Sequence, residues 1–162
     1  MSKIIIVNGN DEPIGLKERG TLNQEDIYRV SALWITNSQG DVLLAQRSFS
    51  KKNDPGLWGP AVAGTIDEGE TYESNIVKEA EDEIGLVNTE FQKGINNFRE
   101  GKYRHFTQWF KVVVDKETTE FTIQEEEVEQ IKWFSNKELN HSLNNEPEMF
   151  LKNLKEIFDM FN

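Results

Sequence analysis

The chain has 162 residues, 36% hydrophobic and 10% aromatic, which is enough to bury one core and too apolar for wholesale disorder. With 18 basic and 29 acidic residues its formal net charge is −11, which argues against nucleic acid as a partner, because phosphate backbones call for basic surface. It has no cysteine, which excludes disulfides, thiolate metal sites and cysteine nucleophiles, and fits a reducing compartment.

No apolar run is long enough to span a membrane. The stretch MSKIIIVNGNDEP has one lysine and four consecutive aliphatics, too short for a signal peptide. A cytoplasmic location without a membrane partner is therefore expected. Ile4 to Val7 reads as a short buried strand followed by the turn-forming GNDEP. A second short strand is expected around Ile14–Leu16, and a loop at Glu18–Gly20. Arg29 to Thr36 and Val42 to Gln46 read as a hairpin around the turn Asn37–Asp41. The connection from Arg47 to Trp58 is basic and turn-rich, and Gly59 to Ile66 leads into a glycine-rich loop.

The next stretch, GTIDEGETYESNIVKEAEDEIGL over 64–86, concentrates charge on a helix. The helix is expected from about Thr71 to Ile84, with Gly85 as its C-cap. Tyr72, Ile76, Val77, Ala80 and Ile84 give an apolar stripe facing the core. Glu79, Asp82 and Glu83 can project together from another face. Like charges at the 79/83 spacing cost an isolated helix about 0.2–0.5 kcal/mol per pair. A divalent cation between them would convert repulsion into coordination, and oxygen-only donors suit magnesium or manganese. On spacing alone, a solvated acidic face is the competing reading.

Beyond the helix, Phe91 to Phe98 and His105 to Val114 read as strands around a turn at Arg99–Lys102. Phe121 to Gln124 and Val128 to Phe134 are expected to complete the sheet. A short helix opens at Asn136, and a last one near Pro147 presents Phe150, Leu151, Leu154, Ile157, Phe158 and Phe161 on one face. The order predicts a single domain over 1–162 of α+β class, a mixed β-sheet sandwiched between α-helices.

Gly64, five residues, Glu70, seven residues, and then Lys78-Glu79-Ala80-Glu81-Asp82-Glu83-Ile84-Gly85-Leu86 resembles the box of the Nudix hydrolase superfamily. Gly64, Glu70, Glu79, Glu83, Gly85 and Leu86 match that box directly. Lys78 stands for its arginine, Ala80 for a larger aliphatic and Asp82 for a glutamate. The resemblance implies the Nudix fold and water attack on a diphosphate linkage in a small phosphorylated substrate, a nucleoside diphosphate derivative or a related metabolite. It also implies Mg2+ or Mn2+ as cofactor. Glu79, Asp82 and Glu83 would be metal ligands, with Gly64 contributing its carbonyl or the shape of the loop. Glu79, Glu83 and Glu70 would be the catalytic carboxylates, with Glu70 supporting the loop and the box cation, here Lys78.

In such proteins the general base is a box glutamate or an acid from a later loop, and Glu125, Glu126 and Glu127 are placed to supply an additional ligand or the base; His105 is a further candidate. Arg47 ranks first for holding phosphate, ahead of Arg29, Lys51, Lys52, Arg99 and Arg104, and Lys78 could also face substrate. Trp58, Phe106 and Trp109 could stack on a base or pack in the core. Dimers are common for the fold, so a homodimer is admitted.

The segment YRVSALWITNSQGDVLLAQRSFSKKNDPGLWGPAVAG is also similar to Nudix proteins related to isopentenyl diphosphate isomerase. That enzyme implies a catalytic cysteine before the box glycine, at about Ala63 here. It also implies histidines at about Thr65, Tyr28 and Thr21, and paired glutamates near Arg104 to Phe106. None of these is present, so hydrolysis is expected and isomerisation is not. The alternative is a Nudix-fold binding or regulatory module with little catalysis.

Overall fold

Alternation along one strand organises the molecule. In the strand Ile27–Thr36, Ala32 and Trp34 are buried in one apolar cluster, and Leu33 and Ile35 in a second. Successive side chains of a strand point to opposite faces, so this strand is covered on both sides. In the computed structural model, which describes residues 2–161, it is β3, preceded by β1 (Lys3–Val7) and β2 (Pro13–Glu18). It is followed by β4 (Val42–Arg47), β5 (Trp58–Pro60), β6 (Val62–Thr65) and helix α1 (Tyr72–Ile84). Then come β7 (Gln92–Glu100), β8 (Arg104–Val113), β9 (Val128–Phe134), α2 (Asn136–Asn145) and α3 (Leu154–Phe161).

β3 pairs antiparallel with β6 and parallel with β8, and its two ends pair with β1 and β4. β4 carries β5 and β9, and β8 carries β7, so one mixed sheet runs through the molecule. Ile76, Ala80 and Ile84 of α1 pack against Leu33, Leu43 and Phe110 on one face. Leu139 and Leu143 of α2 and Leu154, Ile157 and Phe158 of α3 pack against Trp34, Leu44 and Trp109 on the other. This is the α+β sandwich expected from the element order.

α1 begins and ends where its sequence says it should. Thr71 is the N-cap: its side chain accepts from the Ser74 N–H, and the Ser74 hydroxyl returns a bond to the cap backbone. Gly85 closes the helix at φ 71°, a left-handed conformation that glycine adopts without steric cost. The Gly85 and Leu86 N–H groups then satisfy the carbonyls of Glu81 and Ala80.

Four expectations need correction. Val77 is not part of the buried stripe: it is 55% exposed, because Ile76, Ala80 and Ile84 hold the core line at four-residue spacing and Val77 is turned about 100° from Ile76. Phe121–Gln124 is not a strand. A 3-10 turn at Thr118–Glu120 precedes it, and the Thr122 and Gln124 N–H groups bond to the Ile84 and Glu83 carbonyls, docking the segment on the end of α1. The last helix starts at Leu154, not near Pro147, since Phe150 forms a bridge with Trp58 and Leu151 donates to the Trp58 carbonyl. β2 continues through Glu18, which pairs with Lys3, so the loop begins one residue later than expected. No helix among the described residues is long and apolar enough to cross a membrane.

Candidate functional site

β6 runs antiparallel to β3 with Gly64 opposite Ser31, and the chain then turns through residues 66–71 into α1. This sets β6 and α1 against each other. A Cβ on Gly64 would lie 2.5 Å from Glu79 Cγ and 2.9 Å from its Oε2, so only glycine lets the Glu79 carboxyl lie against the strand. One helical turn on, Glu83 Oε2 accepts the Ala63 N–H at 3.3 Å. The carboxyl groups of Glu79 and Glu83 are hydrogen-bonded to one another.

Two acids in contact cannot both ionise cheaply. Burial first, then the charge of Glu79 and, further off, that of Glu127, push the Glu83 carboxyl up to about 9. Burial also raises Glu79, opposed by Lys78 and reinforced by Asp82 and Glu70. Glu83 therefore holds the shared proton and donates it to Glu79. It makes no ion pair among the described residues. Bringing a divalent cation to this pair would replace the proton, so the chemistry of the donors fits such an ion. The pair is not a finished metal centre: among the described residues no three His, Cys, Asp or Glu side chains converge in ligating geometry. Asp82 is exposed and lines the same cleft without closing onto the pair.

Glu70 sits differently from the other box acids. Its Oε1 accepts the Asp67 N–H at 2.8 Å and Asn75 Nδ2 at 3.1 Å, and its Oε2 meets Lys78 Nζ at 2.9 Å. Burial alone would raise this carboxyl; Lys78, the Asp67 N–H and Asn75 outweigh it and hold Glu70 below the usual range. Lys78 in turn lies 3.7 Å from Glu79 Oε1. Neither Glu70 nor Lys78 lines the cleft, so both act on the site through Glu79 and the loop.

The cleft beside the acid pair has a volume of about 570 Å3. Glu79, Asp82, Glu83 and Glu127 form its acidic part, and Arg19, Arg47 and Lys51 bring positive charge to it. Arg47 Nε donates to the Asn53 carbonyl, which holds the guanidinium at the cleft wall. Lys51 is ion-paired with Glu127, and Arg19 with Asp67. Gln124 also lines the cleft, whereas Glu125 and Glu126 are exposed and do not.

The other sequence candidates lie elsewhere. Arg29 is bound to Asp11, Arg99 to Glu156, and Arg104 to Glu100. Lys52 is exposed outside the cleft. His105 packs beside Tyr28 and contacts Thr107 Oγ1, and burial lowers it to about 4, the wrong direction for a base near neutrality. Trp58 packs on Phe134, Phe106 on Phe98, and Trp109 on Trp34 and Phe161, so none of the three presents a stacking face to the cleft.

Sequence reasoning missed a buried polar link beneath the site. Ser31 and Asn75 are both 0% exposed, and the Ser31 hydroxyl donates to Asn75 Oδ1. Asn75 Nδ2 bonds the Thr65 carbonyl and Glu70, joining β3, the loop and α1. Its only trace in the sequence is an asparagine on the apolar face of an amphipathic helix, next to Ile76. Arg19 was also missed, because it reaches the cleft from the amino-terminal hairpin, 45 residues before Gly64 in sequence.

A family model described as the NUDIX domain matches residues 27–154. The isopentenyl-diphosphate Delta-isomerase of Klebsiella pneumoniae is 31% identical over 85 residues, 51% of this chain and 46% of that protein. The enzyme of the same name from Brevibacterium linens is 26% identical over 164 aligned residues, covering 98% of this chain and 90% of that protein. The chain spans about half the length of most of the curated relatives it matches. Among solved structures, DR0079 from Deinococcus radiodurans superposes with a TM-score of 0.81 at 22% identity over 98% of each chain, a likeness of fold.

Proposed function

The chain belongs to the NUDIX family, and on that premise we propose that it is a divalent-metal-dependent pyrophosphohydrolase. Its substrate would be a small molecule with a diphosphate linkage, a nucleoside diphosphate derivative or related metabolite. The observation that carries this is the Glu79–Glu83 pair lying against Gly64 at the edge of a cleft that also holds Arg47 and Lys51. Mg2+ or Mn2+ is the cofactor that oxygen donors of this kind suit. When bound, it would supply Lewis-acid polarisation of a phosphoryl oxygen and of the attacking water.

The residues divide the work. Glu79 and Glu83 would hold the cation, with Asp82 and the Gly64 carbonyl as further oxygen donors on the same cleft. Glu70 and Lys78 position Glu79 and fix the loop, acting at one remove from the reacting atoms. Arg47 receives phosphate oxygens at the cleft wall. Water adds across the P–O–P linkage, leaving two phosphate-bearing fragments, and its proton passes to a carboxylate of the acidic wall.

Isomerase chemistry, suggested by the names of the curated relatives, is not supported by the residues. Ala63 lines the cleft where the isomerase branch needs a cysteine, the chain has no cysteine at all, and Tyr28 and Thr65 also line the cleft in place of histidines. Ala63 has no group that can accept and return the protons that moving a double bond requires.

The test is turnover with Mg2+ or Mn2+ on a panel of nucleoside triphosphates, dinucleotides, nucleotide sugars and ADP-ribose. Glu83→Gln, which keeps shape and removes charge, should lower metal-dependent turnover at least about 100-fold. Wild-type turnover in that variant would overturn the site. Failure of every panel member with metal bound and the fold intact would favour a binding module instead.

A further inference from the structure

We propose that Arg19, Tyr28 and Thr65 form a subsite for an unsubstituted terminal phosphate, so that the chain favours diphosphates with an organic group on one end over those capped at both. This rests on the reading of the Glu79–Glu83 pair as the cation site at which the linkage is cleaved. Water then adds across the linkage, one phosphorus taking its oxygen and the other keeping the bridging oxygen. The products are orthophosphate, a phosphate monoester and a proton.

Strand register brings the three side chains to one end of the cleft, and all three line it. Thr65 is paired with Val30, and Tyr28 lies two residues before Val30, so Tyr28 and Thr65 project from the same sheet face as diagonal neighbours. Arg19 follows the end of β2, and its guanidinium donates to Asp67 Oδ1 at 2.8 Å, two residues past Thr65. The hairpin that carries it is fixed to the same loop. The Glu68 N–H donates to the Lys3 carbonyl at 2.8 Å, and the Ile5 N–H to the Ile66 carbonyl at 3.3 Å. At the hairpin turn, Asp11 accepts from Arg29 Nε at 2.7 Å and from the Tyr72 hydroxyl at 2.8 Å. Arg47 stands instead beside Leu57, at the other end of the β5–β6 stretch. Gly64, with Glu79 against it, lies between these ends and adjoins Thr65.

Each of the three keeps donors that the protein does not use. Among the described residues neither the Tyr28 nor the Thr65 hydroxyl makes a hydrogen bond, and Arg19 bonds only through one terminal nitrogen to Asp67. An acceptor bound there gains partners without breaking an existing bond. Burial first, then the neighbouring Tyr103 phenol, pushes the Tyr28 hydroxyl up, so it keeps its proton and donates. His105, seated against the Tyr28 ring at 5.1 Å, is neutral near pH 7, so the positive charge on this part of the cleft lining is that of Arg19. A terminal phosphate presents three oxygens and nearly two charges to the guanidinium and the two hydroxyls. Esterification on its far side removes one oxygen and one charge, and leaves a donor unpaired. Thr65 follows Gly64 along β6 by one residue, a rise of about 3.3 Å. A phosphate on Thr65 is therefore next to the cation that Glu79 would hold, as two phosphoryl groups sharing one bridging oxygen require.

The experiment is calorimetric titration of the full chain in Mg2+ with methylenediphosphonate, whose ends are free, and with its P,P′-dimethyl diester, whose ends are capped. Wild type should bind the free-ended probe at least about 10-fold more tightly. Arg19→Gln should weaken that probe about 10-fold or more and the diester less than about threefold, with Lys52→Gln as a charge control that changes neither. Tyr28→Phe, which keeps the ring on His105, and Thr65→Val should each weaken the free-ended probe about 3- to 10-fold. Equal wild-type affinity for the two probes would overturn the proposal, as would Arg19→Gln weakening both alike or neither. Turnover separates this from the hydrolase reading on which it rests. Probe preference without turnover of any substrate upholds the subsite and removes the hydrolase. Equal kcat/KM on nucleoside diphosphates and ADP-ribose, unmoved by Arg19→Gln, removes the subsite and keeps the hydrolase.

Discussion

Glu79 is held from two sides, by the open backbone of Gly64 and by the Lys78 ammonium, and each makes a separate demand. Gly64→Ala would put a methyl group within 2.5 Å of Glu79 Cγ, so the side chain must leave the strand rather than the fold give way. Mn2+ affinity by calorimetry should fall about 10- to 100-fold while the melting temperature moves little. A variant that binds Mn2+ like wild type would show that Glu79 ligates from another position. Lys78 reaches Glu70 at 2.9 Å and Glu79 at 3.7 Å with one point donor. A guanidinium could span both carboxylates with its planar fork. Lys78→Arg should therefore keep or raise turnover in the phosphate-release assay, and a severe loss would mean that the site has adapted to lysine.

Beneath these residues, α1 is fastened to β3 and the glycine-rich loop by Asn75. The helix has apolar packing through Ile76, Ala80 and Ile84, but packing alone does not fix its axial position relative to Gly64. The hydrogen bonds from Asn75 to Thr65 and Glu70, and from Ser31 to Asn75, do. Ser31→Ala would leave the buried Asn75 Oδ1 without its donor, at about 1–3 kcal/mol by urea unfolding. Because the same asparagine orients Glu70, turnover should fall as well, in contrast to a core variant of equal cost on the α2 face. The sequence places Phe121 to Gln124 in the sheet. The amide groups of that segment go instead to the carbonyls at the end of α1, which a helix terminus leaves without partners. That choice is what carries Glu127 to the cleft.

For the molecule as a whole, an acid pair sharing a proton ties stability to pH and to cation. The folded-state value of Glu83, about 9, lies above its ordinary value of 4.5, so between them the folded chain binds a proton that the unfolded chain does not. The sign follows: this group's contribution is fullest at the acid end of that window and is lost as pH rises through it. In EDTA, the melting temperature should fall from about pH 6 to about pH 8.5, and Glu83→Gln should flatten the slope. Mn2+ should reverse it, since the ion competes with the proton and binds better as pH rises. A wild-type slope identical to that of Glu83→Gln would mean that the pair does not share a proton. The net charge of −11 adds a general repulsion that a bound cation also relieves.

The sequence by itself determined the helix and its contents. Capping at Thr71 and Gly85, the four-residue rhythm of Ile76, Ala80 and Ile84, and the placing of Glu79 beside Glu83 are local matters, settled by propensity and by 3.6 residues per turn. The order of the elements likewise foretold a mixed sheet between helices. Tertiary structure alone decided that Val77 faces solvent, that Arg19 reaches the cleft from the amino-terminal hairpin, and that Ser31 meets Asn75. It also decided that Glu127, and not Glu125 or Glu126, lines the cleft opposite Lys51. These depend on which distant backbone groups bond to one another, and in a sheet of mixed pairing residue spacing along the chain carries no record of that choice.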